Sequence, residues 1–75
     1  MTGRESIGLA DLELLTLRIT EGLLTPRPGC ALEISTYVWN RKSFESQHRF
    51  EEACEVHGIE FDVREQIGSI EWVCP

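Results

Sequence analysis

Gly58–Pro75 reads GIEFDVREQIGSIEWVCP, and the parity of its side chains decides how the chain is read. Ile59, Phe61 and Val63 alternate with Glu60, Asp62 and Arg64. After Glu65-Gln66-Ile67-Gly68 the alternation resumes as Ser69-Ile70-Glu71-Trp72-Val73-Cys74. Period two with β-branched and aromatic residues is strand chemistry. Closing the four-residue, glycine-containing loop sets Arg64 opposite Ser69, Val63 opposite Ile70, Phe61 opposite Trp72 and Ile59 opposite Cys74. Every inward residue then meets an inward residue. The stretch predicts a C-terminal β-hairpin with one apolar face for a core and one acidic face for solvent.

Upstream of it, Ser43 is a suitable N-cap for a helix over FESQHRFEEACEVH, residues 44–57, with Glu45 favourable in its first turn. Phe50, Ala53, Cys54 and His57 share one stripe, and Gly58 followed by Ile59 predicts a Schellman-type stop, with Ile59 packing back on Cys54. Before this helix, CALEISTYVW (30–39) alternates as a single strand, and Asn40-Arg41-Lys42 makes the turn. Leu32, Ile34, Thr36 and Val38 point one way; Glu33, Ser35, Tyr37 and Trp39 point the other.

Thr25-Pro26-Arg27-Pro28-Gly29 is a stiff connector that a helix cannot cross. Ile7–Leu24 is leucine-rich and predicts a helix ended by Gly22, with Leu23 folding back. This helix is apolar on two sides. Leu9, Leu12, Leu15, Ile19 and Leu23 share one face, and Ala10, Leu14, Leu17 and Leu24 the opposite one, a pattern that implies cover on both sides. Residues 1–6 read as a loose start. The predicted fold is a single α+β domain of order α-β-α-β-β, with two helices on one face of a three-stranded sheet and a right-handed crossover joining the first two strands.

With 75 residues the chain buries only about 60% of its unfolded surface, so help from a disulfide, a metal or a partner subunit is expected. The formal net charge of −6 opposes non-specific binding to nucleic acid or anionic membrane. Cys30, Cys54 and Cys74 are odd in number and widely spaced, and no signal peptide or membrane-spanning run is visible. Reduced thiols in the cytoplasm are the expectation. Cys30 and Cys74 converge only if their strands are neighbours.

No catalytic motif stands out. Cys54 and His57 could both reach one metal, but a structural zinc site needs four ligands, so no metal or cofactor is expected. Acidic surroundings disfavour a thiolate at Cys54. Carboxylate pairs such as Glu60 and Asp62 have no evident cleft, and no glycine-rich phosphate loop follows a strand. The chain is therefore expected not to be an enzyme.

Its charge is lopsided. Met1–Ser43 holds five acids and five bases; Phe44–Pro75 holds eight acids and two bases. A one-sided field of this kind attracts a basic partner. The expected partner-binding set is Glu33, Glu60, Asp62 and Glu71 on the outer sheet face, with Tyr37 and Trp39 as apolar anchors. The expected partner is a basic protein surface, one that itself could hold nucleic acid, with the acids standing in for phosphates. In size and charge alone the chain is comparable with small phage and mobile-element inhibitors of host machinery, anti-CRISPR proteins among them; no residue motif carries that comparison. The alternative is a structural or regulatory homo-oligomer built on Ala10, Leu14, Leu17 and Leu24.

Overall fold

A computed structural model describes residues 3–65 and 68–75. The elements are β1 (Gly3–Ser6), α1 (Leu12–Thr20), β2 (Ala31–Ser35), α2 (Thr36–Asn40), α3 (Phe44–His57), β3 (Phe61–Arg64) and β4 (Ile70–Cys74). The α+β class holds, but the sheet has four strands rather than three, in the order β1-β4-β2-β3. β3 runs parallel to β2, and β4 runs antiparallel to both β1 and β2. Among the described residues, no helix is long and apolar enough to cross a membrane.

The predicted hairpin does not form: β2 lies between β3 and β4. Leu32 is registered with Phe61 on one side and Trp72 on the other, and Ile34 with Val63 and Ile70. The inward set is the predicted one, but each of its residues has a different neighbour. The α3 crossover is long enough to bring β3 back parallel to β2, which a short loop cannot do. β4 then takes the other edge of β2, where the Ser35 N–H donates to the Ser69 carbonyl at 2.7 Å. The result buries both large apolar residues of β2: Leu32 and Ile34 are 0% exposed. Two residues of the expected hairpin loop, Gln66 and Ile67, lie outside the described residues.

Helix α1 is shorter than the leucine run suggests. Asp11 caps its start, the carboxylate accepting from the Glu13 N–H at 2.9 Å. It ends in a Schellman motif: with Gly22 at φ 75°, the Leu23 N–H donates to the Arg18 carbonyl and the Gly22 N–H to that of Ile19. The backbone stop is as predicted, yet Leu23 is exposed and Leu24 packs on the core instead. Helix α3 starts at Ser43 and ends through Gly58 as predicted, with the Ile59 N–H donating to the Cys54 carbonyl at 2.9 Å. α1 and α3 run side by side in the same direction. Lys42 Nζ, just before α3, reaches Asp11 and Glu13 at the start of α1. Thr20 at the end of α1 shares a hollow with Val56 and His57.

Two further expectations are corrected. The strand from Cys30 stops at Ser35, whose buried hydroxyl accepts from the Tyr37 N–H at 3.2 Å and turns the chain into α2. The serine that looked like an ordinary outward strand residue acts as a cap. The segment from Gly3 to Ser6, expected to be loose, is a strand exposed at every position, so it carries no apolar signature. It pairs with β4 from Gly3↔Cys74 to Ser6↔Glu71.

Cys30 and Cys74 are joined by a disulfide with Cα atoms 4.3 Å apart, which corrects the expectation of three reduced thiols. It links the start of β2 to the end of β4. Small domains use such links where the core alone is thin. The core comprises Leu12, Leu15 and Ile19 of α1, Phe50, Ala53 and Cys54 of α3, and the inward residues of β2 and β4.

Candidate interaction surface

The outer face of the sheet is not the open acidic field expected. Sheet pairing sets Glu33 beside Glu71 on one side and Asp62 on the other. Like charges so placed repel. Arginines from the two edge strands answer them. Arg4 of β1 donates to Glu33 at 3.0 Å and to Glu71 at 3.2 Å. Arg64 of β3 lies 3.9 Å from Glu33 and 3.1 Å from Asp62. The guanidinium of Arg4 has its pKa raised, chiefly by the hydrogen bond and charge of Glu33. Three acids and two bases thus form one ladder across four strands, and little of the net charge faces outward from it. The sequence reading placed only Arg64 here, because β1 was not recognised as a strand.

Tyr37 and Trp39 do not sit among these acids. Both are on α2. Tyr37 is exposed, with the Arg41 guanidinium 5.2 Å from its ring centroid. Trp39 turns toward the core, packing 6.1 Å from Phe50 and 5.9 Å from Phe61 between ring centroids. The six residues expected to form one binding face are therefore split, and Glu60 stands apart from the other five.

One cluster of unanswered charge lies at the end of α3. Among the described residues, Glu51, Glu55 and Glu60 make no ion pair, whereas Glu45 pairs with Arg49. Glu52 lies 3.8 Å from His48 Nε2. Glu51 and Glu55 are one helical turn apart on the outward side of α3. The Schellman turn at Gly58 brings Glu60 back beside them. All three line a shallow, open hollow of about 520 Å³ whose other walls are Cys54, Ile59 and Phe61. The hollow thus combines three carboxylates with an apolar wall. Cys54 is buried, and its thiol is pushed up to about 12, by desolvation first and by the Glu51 carboxylate second. It is a packing residue, unsuited to nucleophilic work.

A second cleft, about 380 Å³, lies between the Pro26–Cys30 connector and the Gly58–Glu60 turn, with Trp72 in its wall. The Arg27 guanidinium lies 5.2 Å from the Trp72 ring centroid and pairs with Glu5. The Trp72 indole N–H has no acceptor among the described residues and is closed off from solvent. A molecule resting in the cleft therefore does not reach that donor. Among the described residues, no group of three or more His, Cys, Asp or Glu is placed to hold a metal ion.

Of the self-association set, Leu14 and Leu17 are exposed on α1, Ala10 precedes the helix, and Leu24 packs on the chain's own core. Two acids of this hollow, Glu51 and Glu55, enter the sequence reading only within the charge count of Phe44–Pro75. Their spacing to Phe61 depends on the turn at Gly58 and on which side of β2 the following strand lies. No known protein family, curated protein or solved structure matches this chain.

Proposed function

We propose that this chain is a small acidic protein-interaction module without enzymatic activity, and that it binds a basic segment of a larger protein at the Glu51–Glu55–Glu60 hollow. The observation that carries this reading is the contrast between two acidic clusters. The sheet-face acids are answered by arginines of the same chain; those around the hollow are not. A lysine or arginine from a partner suits the second arrangement. Its aliphatic stem lies along Ile59 and Phe61, and its head group meets the carboxylates. The net charge of −6 steers such a partner toward the module.

Occupying a basic surface in this way blocks whatever anion that surface normally holds, so inhibition of a nucleic-acid-binding protein is the activity we infer. The Cys30–Cys74 disulfide speaks for action outside a reducing cytosol, in contrast to the compartment expected from the thiol count.

The test is a comparative pull-down with the tagged chain, the triple variant E51Q/E55Q/E60Q and the control E33Q/E71Q, each washed at low and high salt. A partner held by the wild type and the control, lost from the triple variant and released by salt supports the reading. Equal retention by all three proteins, or loss from the control alone, overturns it.

A further inference from the structure

Helix α1 has a side that nothing in the fold covers. Leu14 and Leu17 are 39% and 50% exposed, while Leu12, Leu15 and Ile19 are 0% exposed. At 100° per residue the two exposed leucines lie together, opposite the core stripe. Glu13 and Arg18 flank them on either side. Glu13 faces the seam with α3, where it shares a hollow with Thr16, Leu17, Thr20 and Arg49. Arg18 lies on the far flank and makes no ion pair among the described residues. Glu13 uses Oε1 on Lys42 at 3.0 Å, which leaves its second oxygen able to accept.

This is the arrangement of one coiled-coil heptad, with Leu14 and Leu17 at the two seam positions and Glu13 and Arg18 at the flanking g and e positions. We propose that the α1 face binds a second copy of this chain, through a two-fold parallel pairing of the α1 helices. Leu14 and Leu17 pack on their counterparts. Glu13 of each copy meets Arg18 of the other, since those flanking positions become neighbours across a parallel seam. The charge complementarity points to a second copy rather than to an unrelated apolar helix: each α1 supplies both members of the pair. An antiparallel pairing would instead set Arg18 against the second copy's Asp11. It would also set Glu13 opposite Thr20, so only Arg18 gains a partner, whereas the parallel pairing satisfies both.

The contact covers barely more than one heptad, because Ala10 lies outside the helix and Leu24 is spent on the core of its own chain. The dimer is accordingly a weak one. It also leaves the outward acids of α3 uncovered, so the dimer presents two copies of the acidic hollow. The inference does not rest on the function proposed above, and the two are tested on different residues.

The experiment is sedimentation equilibrium of the full chain up to about 1 mM, with far-UV circular dichroism to confirm the fold of each variant. The wild type is expected to approach twice the 8.6 kDa chain mass. Leu14→Lys with Leu17→Lys, both at exposed positions, is expected to remain monomeric. Glu13→Arg alone and Arg18→Glu alone should each weaken association about tenfold, and the double reversal E13R/R18E should restore it. A wild type that stays monomeric overturns the proposal. So does a dimer indifferent to the leucine changes, or one that the double reversal fails to restore.

Discussion

Glu33 and Glu71 face each other across the β2–β4 pair, and the guanidinium of Arg4 lies between them, 3.0 Å from one carboxylate and 3.2 Å from the other. A strand with no apolar residue thus keeps two like charges of the central sheet together. Replacing Arg4 with Gln leaves those carboxylates opposed. We expect the variant to melt below the wild type at low salt, and the gap to narrow as salt rises, because added ions screen the repulsion. A gap that ignores salt would mean that Arg4 acts through packing alone.

Reduction of Cys30–Cys74 should be costly. The bridge closes a loop with a sequence separation of 44 residues. Constraint of the unfolded chain by a loop of that size is worth about 4 kcal/mol in the chain-entropy account. Urea titrations with and without reductant should show a loss of unfolding free energy of that order, and Cys30→Ser with Cys74→Ser should reproduce it.

Cys54 should be silent until the protein unfolds. Its thiol is pushed up to about 12, so at pH 8 its thiolate fraction is about one in ten thousand. Under native, non-reducing conditions a thiol reagent should label no cysteine; in denaturant without reductant it should label one. Rapid native labelling would contradict both the burial of Cys54 and the disulfide.

The Asp11 cap predicts a sensitivity to acid. Its carboxyl is held below the ordinary value of 3.8, first by the Glu13 N–H and then by Lys42. A depressed folded pKa means that the stabilisation is fully present above the unfolded value and is lost as pH falls through the folded one. Thermal melts between about pH 5 and pH 2 should therefore drop, and Asp11→Asn, which keeps a capping side chain but removes the charge, should reduce part of that slope.

The leucines of the first segment separate by position. Leu15→Ala, at a residue 0% exposed, should cost about 2–5 kcal/mol. Leu23→Ala, at one 70% exposed, should fall within about 0.5 kcal/mol of wild type. Denaturant midpoints distinguish this from the full-length helix suggested by the leucine pattern, in which Leu23 belongs to the core.

Much of the local chemistry, though not the caps at Asp11 and Ser35, was legible in the sequence. Ser43, Gly22 and Gly58 mark their helix ends correctly, and parity puts Ile70 and Trp72 in the core, Phe61 against it and Val63 in register with the buried Ile34. Parity names a face and not a neighbour. Whether Phe61 lies beside Trp72 or beside Leu32 depends on the slot that β4 takes, and β1, which pairs with the other edge of β4, has in Gly-Arg-Glu-Ser no apolar period to read. The same gap hid the pairing of the sheet-face acids. Without β1 there is no Arg4 on the sheet, and Glu33 and Glu71 look unanswered. Ser35 misled in a different way, since a buried serine at a strand end caps a helix as readily as it extends a strand.

The central claim is that Glu51, Glu55 and Glu60 form the surface that takes a basic segment. It is tested most directly by titrating the ¹⁵N-labelled chain with a short arginine- and lysine-rich peptide at low salt and following its amide resonances. The account predicts shifts confined to the end of α3 and the turn into β3, from Glu51 to Phe61, that vanish in E51Q/E55Q/E60Q and persist in E33Q/E71Q. Shifts centred on Glu33 and Glu71, or none at millimolar peptide, would contradict it.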